Sequence, residues 1–286
     1  MDVMNSGNIA GIFKKTIFAG ALAASFGFGC AVMAEEGADV RLKPFDSNEV
    51  SINLEVGEMA MMAGNYDEAS TAFTRAFTLE PRSYPAAYNL GYISQLKAKN
   101  EEAVRYYRQA LRIRPESVDP LLNIGVIAMM DEKYDEAMVN FQKALAIDAK
   151  SQGARFNISA VFMAKQNYAA AYQLLSDLIK EGAGKEKAGS DIVLKFAQVC
   201  VELDKFAEAD ASLKELKPAA RESEVEKYYL TGCSLFKQKK NDEAEKAFAA
   251  ASDSAKDNES LSKLLIGKIA EFKKTGRTAK PLRIKE

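Results

Sequence analysis

Six alanines recur along this chain at a nearly constant interval. Ala69, Ala103, Ala137, Ala171, Ala209 and Ala244 close the stretches YDEA, NEEA, YDEA, YAAA, FAEA and NDEA, and lie 34, 34, 34, 38 and 35 residues apart. Let each alanine be position 20 of its repeat. Position 8 is then Gly57, Gly91, Gly125, Ser159, Ala197 and Gly232, and position 24 is Phe73, Tyr107, Phe141, Leu175, Leu213 and Phe248. Position 27 is Ala76, Ala110, Ala144, Leu178, Leu216 and Ala251, while Pro81 and Pro115 stand at position 32. Helix formers rich in Ala and Leu dominate, and runs of alternating β-branched residues are missing, so strands have little support. Small residues at positions 8, 20 and 27 let two helices approach closely, and the aromatic at 24 fills the space beside them. Proline at 32 stops the second helix, because it lacks an N–H and clashes with the preceding turn.

The pattern resembles the tetratricopeptide repeat (TPR), two antiparallel helices in 34 residues. It runs from residue 50 to 258. The resemblance implies an all-α fold, a right-handed α-solenoid of about six TPR helix pairs plus a C-terminal capping helix. The chain departs from the family at position 4, where a large aromatic is common: Asn53, Ala87, Leu121, Arg155 and Val193 stand there, and only Tyr228 conforms. Repeat four is degenerate, and EGAGKEKAGS (181–190) supplies the extra residues behind the spacing of 38. That stretch reads as a solvated loop and a hinge between repeats. On this frame repeats 1–4 occupy 50–185, residues 186–189 belong to the inter-repeat loop, and repeats 5–6 occupy 190–258. An amphipathic helix over 259–274 caps the stack, and 275–286 form a basic tail.

Residues 1–34 read as a secretory signal peptide. Lys14 and Lys15 precede an uncharged run from Thr16 to Ala34, and Val32 and Ala34 suit cleavage before Glu35. Two alternatives stay open. The run of 19 residues is long enough to remain as a membrane anchor. Cys30 can instead carry a lipid, although Gly27 and Phe28 precede it where an aliphatic and a small residue are usual. Residues 35–49 form an N-terminal linker. Each route delivers the repeats out of the cytoplasm, so the expected location is periplasmic or otherwise exported, with a membrane-anchored form facing the periplasm as the alternative. Membrane contact is then expected only through the N-terminal segment, if it is uncleaved. Cys200 and Cys233 read as buried small side chains, beside a disulfide that an oxidising compartment permits.

The chain has no histidine. This removes Ser-His triads, histidine bases and nearly all zinc or iron sites. No phosphate loop, nucleophile elbow or Cys/His metal spacing is present. The adjacent acids Glu101 and Glu102 start a second helix, where the helix dipole favours them. Lys and Arg number 39 against 40 Asp and Glu, which gives no argument for a nucleic-acid partner. The expectation is a non-enzymatic chain with no cofactor and no metal site.

In TPR proteins positions 2, 5, 6, 9, 12 and 13 of the first helix form one stripe that lines a concave surface. The resemblance places Tyr88, Asn89 and Tyr92 there from repeat two. Repeat three contributes Leu122, Asn123, Val126, Met129 and Met130, and repeat four Phe156, Asn157 and Met163. These are the candidate peptide-binding residues. Leu54, Glu58, Met61 and Met62 extend the stripe into repeat one, and Leu194, Gln198, Tyr229, Cys233 and Phe236 into repeats five and six. The stripe is mostly apolar and rich in Met, the chemistry of an adaptable binding surface, with core packing as the alternative reading. Positions 5 and 9 carry no basic cluster, unlike the clamp with which TPR cochaperones grip a C-terminal carboxylate. An asparagine at position 6 can pair with a passing peptide backbone or bond within its own repeat. The expected function is an exported scaffold or adaptor that binds a peptide or protein segment through apolar and aromatic anchors, in envelope complex assembly. In architecture the chain resembles type IV pilus pilotins and outer-membrane assembly factors. A self-associating structural envelope protein is the alternative, which leaves a homo-oligomer open, and an enzyme is a distant third.

Overall fold

The structure is a computed structural model and describes residues 47–182 and 189–278. The expected signal peptide, most of the linker, the loop residues 183–188 and the tail from 279 onward lie outside the described residues. Within them the chain forms thirteen α-helices and no strand. Six antiparallel pairs follow in order: α1 (Ser47–Met62) with α2 (Tyr66–Leu79), α3 (Tyr84–Leu96) with α4 (Asn100–Ile113), α5 (Val118–Met130) with α6 (Tyr134–Ile147), α7 (Gln152–Ala164) with α8 (Tyr168–Gly182), α9 (Ser190–Glu202) with α10 (Phe206–Glu215), and α11 (Arg221–Lys237) with α12 (Asn241–Ala255). A last helix, α13 (Glu259–Thr275), has no partner of its own. The first helix of each pair is termed A and the second B.

All six A helices end in the same turn. Position 15 has a positive φ in every repeat: Gly64 (76°), Ala98 (55°), Glu132 (59°), Gln166 (59°), Asp204 (56°) and Lys239 (63°). The next residue sends its N–H back five residues, as from Lys99 to the Ser94 carbonyl, Lys133 to Ala128 and Asn167 to Phe162, each at 2.8 Å. This closes a Schellman-type end that satisfies carbonyls the helix leaves unpaired. Only repeat one uses glycine for it.

The pairing of A with B rests on positions 8 and 24. A Cβ on Gly57 would stand 2.7 Å from the Phe73 ring, and one on Gly91 2.8 Å from Tyr107. On Gly125 the distance to Phe141 would be 2.4 Å, and on Gly232 2.5 Å to Phe248. All four rings are buried. Where position 8 does carry a Cβ, as Ser159 and Ala197, position 24 is the smaller Leu175 and Leu213. Small residue and ring are thus two halves of one contact.

Between repeats, each B helix packs on the following A helix. Consecutive A helices also touch, α5 with α7, α7 with α9 and α9 with α11, whereas consecutive B helices show no comparable contact among the described residues. The A helices therefore line the inner side of the stack. Their positions 3, 7 and 10 meet the preceding B helix and are buried, as Ala86, Leu90 and Ile93 in repeat two and Ala154, Ile158 and Val161 in repeat four. In α1 the same positions hold Ile52 and Met59, which are 57% and 60% exposed. At the other end α13 packs against α12 and α11. Its N-cap Asn258 accepts the Leu261 N–H, and Gly276 at φ 69° terminates it.

Candidate functional site

The inner stripe divides into an accessible part and a covered part. In repeats two to four, Tyr88, Asn89, Tyr92, Leu122, Asn123, Val126, Met129, Phe156, Asn157 and Met163 are half-buried, and Met130 is exposed. Leu96 and Met62 are exposed along the same line. Leu122, Val126 and Met129 lean on the core around Phe141, and Phe156 and Met163 lean on the larger core of repeats four to six. Core and groove are therefore not alternatives for these side chains. One flank of each is packed and the rest stays accessible.

The aromatic residues of repeat two form a cluster. Tyr84 and Tyr88 stack with centroids 6.0 Å apart, Arg114 lies 4.5 Å over the Tyr84 ring, and Tyr88 stands 5.8 Å from Tyr107. Asn123 Nδ2 donates to the Tyr88 hydroxyl at 3.3 Å and so ties repeat three to repeat two. Burial pushes the Tyr88 phenol up to about 12, the Asp119 charge adds to this, and the Asn123 hydrogen bond opposes it. Burial also raises Tyr92 and, further, Tyr107, whose hydroxyl donates to Gln95 Oε1 at 2.8 Å. All three phenols stay neutral near pH 7 and keep their hydrogen for donation. Asn89 and Asn157 differ from Asn123. Among the described residues neither has a side-chain hydrogen-bond partner, so donor and acceptor of both amides are unused.

In repeats five and six the chain covers its own stripe. Leu194, Gln198, Tyr229 and Cys233, which the sequence pattern places in the same groove, are buried. The α13 ring Phe272 lies 6.4 Å from Tyr229, 5.7 Å from Phe236 and 6.5 Å from Phe248. Lys268 Nζ stands 3.6 Å from Glu226 Oε2 in an ion pair whose side chains are 6% and 10% exposed. Neither atom has a hydrogen-bond partner, and burial pushes the Lys268 ammonium below its ordinary range. Beyond the helix, the Thr278 N–H donates to Glu202 Oε1 at 2.5 Å, and its hydroxyl also donates to Glu202. Gln198 Nε2 donates to that hydroxyl at 3.3 Å, and Arg277 Nη1 donates to Gln166 Oε1 at 3.0 Å. The sequence signal for this cover was present: Leu261, Leu265, Lys268 and Phe272 recur at helical spacing and are the buried face of α13.

No group of three His, Cys, Asp or Glu residues among the described residues can hold a metal ion. Burial pushes the Cys200 thiol up to about 12 and raises Cys233 as well, so neither is a thiolate nucleophile near pH 7. The two cysteines are unpaired. No described helix is long and apolar enough to cross a membrane.

Two family profiles, both described as tetratricopeptide repeat, match residues 84–117 and 128–188. No curated protein matches the chain. Among solved structures, Pseudomonas aeruginosa PilF covers 78% of this chain and 98% of its own, at a TM-score of 0.61 and 16% identity. PilW, described as a widely conserved type IV pilus biogenesis factor, covers 78% of this chain and 99% of its own, at 0.60 and 20% identity. YrrB, described as a TPR protein with an unusual peptide-binding site, covers 71% of this chain and all of its own, at 0.52 and 16% identity. At these identities the likeness is one of fold.

Proposed function

Because this chain is a tetratricopeptide-repeat protein, built on a protein-interaction scaffold, we propose that it is an exported, non-catalytic adaptor whose A-helix groove holds a peptide or protein segment. The observation that carries this reading is the accessible stripe of repeats one to four, apolar and rich in Met and Tyr, with the amides of Asn89 and Asn157 unpaired within it. Apolar side chains of an extended partner fit between Tyr92, Val126 and Met130, and its backbone N–H and C=O pair with the amides. The pattern of residues 1–34 supports export, and the likeness to PilW supports a role in assembling an envelope complex.

The test is recovery of partners from an envelope extract of the source cells by the wild-type chain and by Tyr92→Ala/Met130→Ala, with circular dichroism showing both folded. The wild type is expected to recover a defined set that the variant loses at least about tenfold, as for removal of two apolar anchors. Recovery of the same proteins by both chains overturns the reading. Asn123→Ala separates the amides: it loses one hydrogen bond to Tyr88, about 1 kcal/mol of stability, whereas Asn89→Ala and Asn157→Ala are expected to weaken binding and leave the melt unchanged.

A further inference from the structure

The cover of the groove does not end with α13. α13 packs on repeat six and stops at Gly276, whose left-handed φ of 69° turns the chain. Thr278 then binds Gln198 and Glu202, positions 9 and 13 of repeat five, and Arg277 binds Gln166 in the A–B turn of repeat four. The Tyr168 phenol at the start of α8 feels both Glu202 and Arg277. Residues 277 and 278 thus lie over the A–B turn of repeat four and the A helix of repeat five, and the last described residue is buried on the stripe at 9% exposure.

Eight residues follow, AKPLRIKE. Eight extended residues reach roughly 26–29 Å. Helices pack about 8–10 Å apart, so this length is enough to reach α7 and α5, the A helices of repeats four and three. The composition suits that course. Pro281 biases Lys280 to extended backbone. Leu282 and Ile284 are two residues apart and share one face of an extended segment, with Arg283 and Lys285 on the other. The surface ahead of Thr278 carries the half-buried Phe156, Met163, Leu122 and Met129.

We propose that the C-terminal arm, residues 276–286, is an internal ligand of the groove, anchored by Glu202 and Gln198 and laid with Leu282 and Ile284 on the apolar stripe of repeats three and four. The inference rests on the reading that this stripe holds an extended segment, and it names the first occupant. An outside partner then competes with a tethered segment present at an effective concentration in the millimolar range. Weak partners are excluded, and partners that match more of the stripe displace the arm.

The test uses the full chain with a photoreactive benzoylphenylalanine replacing Leu282. Irradiation is expected to link this residue to the stripe between 122 and 130 or between 156 and 163, within one copy. Glu202→Gln and, in the arm itself, Thr278→Ala are each expected to lower that link about tenfold, as for loss of a charge-assisted hydrogen bond. A mixture of isotopically light and heavy chains distinguishes links within a copy from links between copies. Links only between copies, links confined to residues off the stripe, or a yield indifferent to both variants overturn the inference. If the arm fails this test while Tyr92→Ala/Met130→Ala still loses partners, only the internal ligand falls; if both fail, the groove reading falls with it.

Discussion

Ala98 holds a φ of 55° with only a methyl group as its side chain. The left-handed region brings Cβ close to the following carbonyl oxygen, at roughly 1–2 kcal/mol for a non-glycine residue. The turn persists because the helix end around it pairs three N–H groups in succession, Lys97 to Ile93, Ala98 to Gln95 and Lys99 to Ser94. Ala98→Gly removes the crowding and gives the unfolded chain more freedom, which offsets about 0.4–1 kcal/mol of the gain. The variant is expected to be about 0.5–1 kcal/mol more stable, read as a higher midpoint in chemical denaturation; an unchanged or lower midpoint counts against strain at this turn. Nothing in the sequence marked these positions apart from Gly64. Ala, Glu, Gln, Asp and Lys fill position 15 elsewhere, so residue type carries no common signal and only the backbone reveals the shared geometry. The amides show a related limit. The repeat pattern places Asn89, Asn123 and Asn157 at one position, but Tyr88 stands opposite only Asn123 and takes it into an inter-repeat hydrogen bond.

Helix pairing, in contrast, was legible, because it depends on the sizes of two residues at a fixed separation. Gly125 and Phe141 illustrate it: the glycine face is where the ring lies, with 2.4 Å left for a Cβ. Gly125→Ala must push the buried ring aside, at about 1–3 kcal/mol for overpacking. Phe141→Leu has its own cost, since it vacates space in the core. The double variant recreates the combination that repeat five already uses, Ala197 with Leu213. It is therefore expected to be more stable than the sum of the two single changes allows, by more than about 0.5 kcal/mol. Denaturation of the four chains gives the coupling directly, and simple additivity would show that the two side chains do not share the contact. How deeply the groove residues sit was less legible. Spacing assigns Leu122 or Met129 to a stripe, but not how far the adjacent A helix leans over it.

At the scale of the whole molecule the two ends of the stack differ. Ile52 and Met59 occupy positions that internal repeats bury against a preceding B helix, and in α1 they are exposed. The far end is closed by α13, which folds its apolar face onto α11 and α12 and brings an ion pair with it. The repeats could be read because each one checks the others; α13 occurs once, and its sequence shows an amphipathic cap for the end of the stack without showing which stripe residues it covers. The buried pair tests that placement. Lys268→Ala leaves the Glu226 carboxylate covered and without its cation, a change that costs about 3–5 kcal/mol when one partner of a buried pair is removed. Lys268→Met/Glu226→Leu removes both charges and keeps the volume, and such replacements are neutral or stabilising. In a stack whose units contact only their neighbours, the damage stays local. Hydrogen exchange on Lys268→Ala is expected to show protection lost in α13 and reduced in α11 and α12, with α1–α6 unchanged and the double variant restored. If α13 keeps its protection in Lys268→Ala, the pair is peripheral to docking and the aromatic contacts of Phe272 alone hold the helix; if α1–α6 also lose protection, the molecule unfolds as one cooperative unit and the nearest-neighbour description of its stability fails.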